Sequence, residues 1–139
     1  MTTITIPVGA QPIIKDLEDR PVVRVAGAAI AVMDPIYLKS SDSKYYTADS
    51  DPTDSETSVV VGIALSKSET DAYVHYVSTT GTVIDFGGTL TVGDTYWLNG
   101  SVIDNSYAAV SSLDALVRLG YANEDGDFVV NIINQGEVK

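Results

Sequence analysis

Apolar and polar residues alternate along most of this chain in short runs, and stretches of Gly, Asp, Ser, Asn and Pro separate the runs. Side chains on a strand point alternately to its two faces, so this period-2 pattern predicts strands joined by tight turns. Val22 to Val32 is an Ala/Val-rich run in which Gly27 allows a bulge or bend. Asp34-Pro35 reads as a tight turn leading into a strand at Ile36-Tyr37-Leu38. Ser40–Ser43 is a second turn, and Lys44-Tyr45-Tyr46-Thr47 returns from it to complete a hairpin. A polar acidic loop over Asp49–Glu56 precedes strands at about Ser58–Leu65 and Ala72–Ser78. Thr80-Gly81 and Gly87-Gly88 bracket a short strand, Thr82–Phe86. Further strands fall near Thr95–Leu98, Val102–Ile103, Ala115–Ala122 and Phe128–Asn134. Asn99-Gly100 and Asp125-Gly126 are hairpin-turn dipeptides, since both tolerate positive φ. Leu113, Leu116 and Val117 are also spaced for a helical turn within Ser112–Leu119, but the density of strands on either side favours a strand.

The pattern occurs twice. Val32-Met33-Asp34-Pro35-Ile36-Tyr37-Leu38 is answered 60 residues later by Val92-Gly93-Asp94-Thr95-Tyr96-Trp97-Leu98. Val61-Gly62-Ile63-Ala64-Leu65 is answered 58 residues later by Leu119-Gly120-Tyr121-Ala122-Asn123. After each comes an apolar run, Ala72–Val77 and then Asp127–Ile132. Ordered matches at nearly constant spacing predict two copies of a four-strand unit, at about residues 29–80 and 89–134. Each copy alone exposes an apolar face, so packing one against the other covers both. The expected fold is all-β: a small antiparallel barrel or sandwich of residues 22–139.

Residues 1–21 lie outside the repeat. Ile4, Ile6 and Val8 alternate with Thr3, Thr5 and Pro7, which gives a short extended segment one apolar face. Pro7, Pro12 and Pro21 exclude a regular helix or a central strand. Two readings stand side by side: an extended N-terminal arm, or a strand of the body's own sheet.

Composition bounds the function. Forty-two of the 139 residues are Val, Ile or Thr, which are stiff at χ1 and pack well on a pleated surface. Eight basic residues against nineteen acidic ones give a net charge of −11. Nucleic-acid binding draws on clustered Lys and Arg, and anionic membranes repel such a surface, so neither partner is expected. The N-terminus has no basic start followed by an apolar core, and no run approaches the length needed to span a bilayer, so synthesis in the cytoplasm is expected.

The chain offers little catalytic chemistry. It has no Cys, which removes disulfides, thiolate metal sites and a cysteine nucleophile together. His75, the single histidine, lies between Val74 and Tyr76 on a strand that reads as buried or half-buried, where a structural role is expected. Gly87-Gly88 lacks the Gly-Lys-Ser/Thr ending of a phosphate loop. Asp49, Asp51, Asp54 and Glu56 form the best cation candidate, yet an EF-hand register from Asp49 puts Asp54 where Gly belongs and Val60 where Glu belongs. No catalytic residue, cofactor or metal site is therefore assigned, and no enzyme is expected. Tyr45 and Tyr46 put one ring on each face of their strand, which makes them candidates for a partner surface.

Ala26-Gly27-Ala28-Ala29-Ile30, Asp34–Leu38, Lys44–Ala48 and Val60–Ala64, continued by Gly93–Leu98 and Val117–Ala122, resemble the small head-decoration (cement) proteins of tailed bacteriophages. The likeness covers about residues 22–134, and Met33 stands where Gly93 leads one to expect Gly. The resemblance implies a β-barrel or tulip-like body that forms a homotrimer on the outer capsid surface of a virion and clamps the major capsid protein against internal DNA pressure. It further implies an N-terminal arm that reaches the shell, which makes Thr3, Ile4, Thr5, Ile6, Pro7 and Val8 the expected capsid contacts. The alternative is a carbohydrate- or receptor-binding β module of a phage fibre or tail, with exposed Tyr and Trp stacking on sugars.

Overall fold

The turns set the frame of the fold. The computed structural model describes residues 4, 6–7, 9, 11–15, 21–51, 56–105, 107, 110 and 114–138. Eleven strands are present among them: β1 (Ile13–Ile14), β2 (Val22–Val25), β3 (Pro35–Lys39), β4 (Lys44–Thr47), β5 (Gly62–Ala64), β6 (Tyr73–Val77), β7 (Val83–Asp85), β8 (Thr95–Asn99), β9 (Val102–Asp104), β10 (Ala115–Ala122) and β11 (Phe128–Val138). Gly100 at φ +61° and Gly126 at φ +76° supply the left-handed residues of the β8–β9 and β10–β11 hairpins. Ala115 opens β10 as a strand, while residues 112 and 113, the start of the possible helical turn, lie outside the described residues.

The strands form two antiparallel sheets, ordered β2-β6-β5-β3-β4 and β1-β7-β11-β10-β8-β9. Without β1, the second order is the first one again, five strands later. The repeat is therefore a five-strand unit. Units drawn at about 29–80 and 89–134 omit the first strand of each copy, β2 and β7, because neither carries a sequence match to the other. Each sheet is one unit, and the sheets pack face to face as an open sandwich.

Equivalence extends to register and to single hydrogen bonds. Pro35 and Ile36 pair with Ile63 and Gly62, as Thr95 and Tyr96 pair with Tyr121 and Gly120. Met33 N–H donates to the Ala64 carbonyl at 2.7 Å, and Gly93 N–H to the Ala122 carbonyl at 3.2 Å. Ala64 N–H then returns to the Asp34 carbonyl at 2.9 Å, and Ala122 N–H to that of Asp94 at 3.0 Å. Met33 holds φ +65° where Gly93 holds φ +84°, so the turn demands a left-handed residue in both copies. Side chains repeat the pattern as well: Asp34 accepts from Thr47 Oγ1 at 2.9 Å, and Asp94 from Asn105 Nδ2 at 2.8 Å.

The main core lies between the sheets. Tyr37, Ile63 and Val77 of the first meet Leu98, Leu119, Phe128 and Val130 of the second. A smaller cluster of Ala26, Ile30, Ile36, Tyr45, Ala64, Val74 and Tyr76 fills the other side of the first sheet. That sheet curls until its edges meet at one bridge, Ala26 to Tyr45, with Gly27 N–H donating to the Tyr45 carbonyl at 2.9 Å. Ser50, fully buried, ties the units together. Its Oγ accepts from Gly100 N–H at 2.8 Å and donates to Asp114 Oδ2 at 2.7 Å, while its carbonyl accepts from Ala115 N–H at 2.8 Å.

Candidate partner-binding surfaces

The N-terminal segment is seated on its own body in two places. Ile4 N–H donates to the Ile103 carbonyl on the β9 edge at 3.2 Å, and Ile4 and Ile6 pack against the main core. With Val32, Met33, Asp34, Pro35, Ser101, Val102 and Ile103 they line a cleft of about 80 Å³ where the two units meet. Farther along, Ile13 and Ile14 pair with Asp85 and Ile84 of β7, so this part of the segment is a strand of the body's own sheet. Lys15 Nζ reaches the buried Asp127 Oδ2 at 2.6 Å, and that hydrogen-bonded ion pair raises the lysine pKa. Of the expected capsid contacts, Ile4 and Ile6 thus face the protein itself, while Pro7 is exposed. Thr3, Thr5 and Val8 lie outside the described residues.

Tyr45 and Tyr46 point to opposite faces, as strand geometry requires, but neither ring is freely exposed. Tyr45 belongs to the small core and leans on Tyr76 at 5.4 Å between centroids, which corrects its assignment as a surface aromatic. Tyr46 is half-buried. It stacks on Tyr37 at 5.9 Å, carries Lys39 Nζ 5.2 Å from its ring centroid, and its hydroxyl donates to Asp42 Oδ2. That hydrogen bond pushes the Tyr46 pKa up to about 12 and holds the Asp42 carboxyl below its ordinary value. Burial, then the hydroxyl of Tyr45, pushes Tyr76 up to about 12 as well. Asp34, at the cleft, is raised by burial against the opposing hydrogen bonds from Ala31 N–H and Thr47.

The remaining candidates are placed as follows. β6 is a half-buried strand, as expected; its Val74 and Tyr76 are buried, and His75 between them is exposed. Its N–H donates to Ser66 Oγ at 2.9 Å. In the acidic loop, Asp49 Oδ1 accepts from Asp51 N–H and Glu56 from Ser40 N–H, so these carboxylates serve local turns; Asp54 lies outside the described residues. No group of three potential metal ligands is found among the described residues.

One surface went unnoticed in the sequence. On the second sheet Trp97 pairs with Asp104 on one side and Arg118 on the other, and Arg118 pairs with Ile133. Paired residues share a face, and this one points away from the core that holds Tyr96, Leu98 and Leu119. Tyr107 stands edge-on to Trp97 at 5.4 Å and is itself exposed, as are Tyr121 and Ile133. The buried Nε of Arg118 has no hydrogen-bond partner among the described residues. Trp, Tyr and Arg together are the composition of a protein interface. The available signal was Trp97, which stands where the first unit has the core residue Tyr37.

Compared with family models, curated proteins and solved structures, the chain has no match.

Proposed function

We propose that this protein is a structural component of a bacteriophage virion, which decorates the outer capsid surface as a homotrimer and holds neighbouring major capsid subunits together. The observation that carries this reading is the outward face of the second sheet, where Trp97, Tyr107, Arg118, Tyr121 and Ile133 lie on a sheet whose other face is the main core. A ligand that binds only the assembled shell stabilises that shell by an amount that grows with the logarithm of its free concentration over its dissociation constant. The sandwich suits this work because its main core spans both sheets, so a load applied to one sheet passes directly to the other. Thr3–Val8 enter as the segment that reaches a neighbour once Ile4 and Ile6 leave their seats.

The test is co-sedimentation with undecorated heads, together with calorimetry of the heads. Saturable binding that raises the head melting temperature is expected, and Trp97→Ala should weaken it at least tenfold. Heads that neither retain the protein nor gain stability would remove the reading. A second reading is a carbohydrate-binding module of a tail or fibre, favoured by the same Trp97–Tyr107 pair, since aromatic rings also receive sugars. Retention on a glycan array without retention on heads would select it.

A further inference from the structure

The two units differ at one edge. In the first, Gly27 N–H bonds directly to the Tyr45 carbonyl of β4, and the Tyr46 ring covers Gly27. Ile103 of β9 corresponds to Tyr45, because Leu98 pairs with Ile103 as Leu38 pairs with Tyr45. Gly87 corresponds to Gly27, standing three residues before the buried Leu90 as Gly27 stands before the buried Ile30. Here the unit does not close on itself. The Ile103 carbonyl is met by Ile4 N–H at 3.2 Å, and Pro7 lies over Gly87, its Cγ 3.8 Å from the position of a Cβ there. The second unit is thus the first with a slot opened between β9 and Gly87, where Ile4 and Pro7 of the N-terminal segment lie.

We propose that this slot is a strand-acceptor site whose occupant in the assembled protein is the N-terminal segment of a second copy, so that copies are joined by exchanging residues 4–7. The segment's own path supplies the hinge. Gly9 holds φ +75° in a turn with nothing near its Cβ position, between Pro7 and Pro12, whose rings keep their own φ fixed. A change of φ at Gly9 alone swings residues 4–7 outward. The five-residue stretch from Gly9 back to Ile4 has a reach of about 17 Å when extended. The contacts made in exchange are those made at home, so it sacrifices none. Head-to-tail transfer around a three-fold axis closes a ring. The inference draws on the functional reading only for the number of copies.

The test uses the absence of native cysteine. Pro7 Cγ stands 3.8 Å from the position of a Cβ at Gly87, so Pro7→Cys with Gly87→Cys sets two thiols beside each other across the slot. After oxidation, denaturing electrophoresis without reductant is expected to show covalent multimers ending at a trimer. Crosslinks confined within single chains, or thiols that stay reduced, overturn the proposal. Light scattering gives a second measurement that needs no engineered pair. Wild-type protein is expected at a multiple of 14.7 kDa, Ile6→Asp to raise the dissociation constant at least tenfold, and Gly9→Pro, which forbids positive φ, to increase the multimer fraction. A wild-type chain that is monomeric at every concentration, or a multimer indifferent to Ile6→Asp, overturns it as well. Capsid binding is scored separately: a monomer that still binds heads removes only the exchange, and an exchanged multimer that ignores heads removes only the decoration reading.

Discussion

In the first unit the residue that turns the chain into β3 is Met33, held at φ +65° with its side chain buried; in the second it is Gly93, at φ +84° with nothing near its Cβ position. The hydrogen bonds around the two turns are the same, so the backbone frame fixes the conformation and the surroundings choose the residue. A side chain in the left-handed region costs roughly 1–2 kcal/mol. A buried methionine offsets this in the first unit, where the turn faces the main core; the second turn faces away from it and glycine carries no strain. A similar division runs through both copies. Gly62 and Gly120 lie beneath the rings of Tyr76 and Phe128, yet the first ring belongs to a small separate cluster and the second to the main core.

That pair of glycines gives the sharpest way to break the comparison. At Gly120 a Cβ would collide with the backbone carbonyl of Val129 and stand 2.8 Å from Phe128 Cζ. At Gly62 the nearest obstacle is the Tyr76 ring, with the Val77 carbonyl 2.8 Å away. Overpacking costs about 1–3 kcal/mol when side chains give way and more when backbone must move. Gly120→Ala should therefore lose about 3 kcal/mol and Gly62→Ala about 2 kcal/mol in denaturant melts. Equal and small losses would show that the two sites are not under the same constraint.

Exchanging the turn residues comes next. Met33→Gly removes a buried side chain, worth about 3 kcal/mol, and relieves about 1 kcal/mol of backbone strain, for a net loss of about 2 kcal/mol. Gly93→Ala should lose about 1 kcal/mol, all of it from the left-handed backbone. A Met33→Gly protein more stable than wild type would invert the account of why methionine stands there.

Ser50→Ala tests the joint between the units. Removing one hydroxyl that serves Gly100 N–H and Asp114 should cost about 1.5 kcal/mol. The single Trp, Trp97, reports on the second unit and the single His, His75, on the first. Trp97 fluorescence and the His75 NMR resonance are expected to melt together, because the main core contains residues of both sheets. Separate transitions in the variant would show that Ser50, not the core, couples the copies.

The smallest effect is electrostatic and confined to the first unit. Tyr46 should ionise only near pH 12 in an ultraviolet titration, and Asp42→Asn should return it toward 10, because Asp42 accepts its proton. The native phenol keeps its proton longer than the unfolded one. Its contribution to stability is therefore complete below about pH 10 and is lost as the pH rises toward 12. An unchanged titration in the variant would remove the hydrogen bond as the cause.

Much of the fold was legible because strands and turns are local. β4 and β10 carry the predicted bounds, the Asp125-Gly126 turn falls where expected, and Met33 marked its own anomaly. The first strand of each unit was not legible as part of the repeat, since Val22-Val23-Arg24-Val25 and Val83-Ile84-Asp85 share only apolar character. Ile13 and Ile14 form a body strand, the second of the two readings left open for that segment. The Trp97 face and the slot beside β9 could not be read at all, because each joins residues far apart in the chain.

The sequence by itself determined an acidic all-β protein built from two copies of one unit, because alternation, turn chemistry and repetition are written in neighbouring residues. Only the tertiary structure decided that each copy is a five-strand sheet and that the sheets form an open sandwich. It also placed Tyr45 in a core, Trp97 on the face turned away from the main core, and the N-terminal segment in a slot that the second unit leaves open. Those outcomes depend on which face of each sheet meets the other, and that is settled by long-range packing rather than by any local preference.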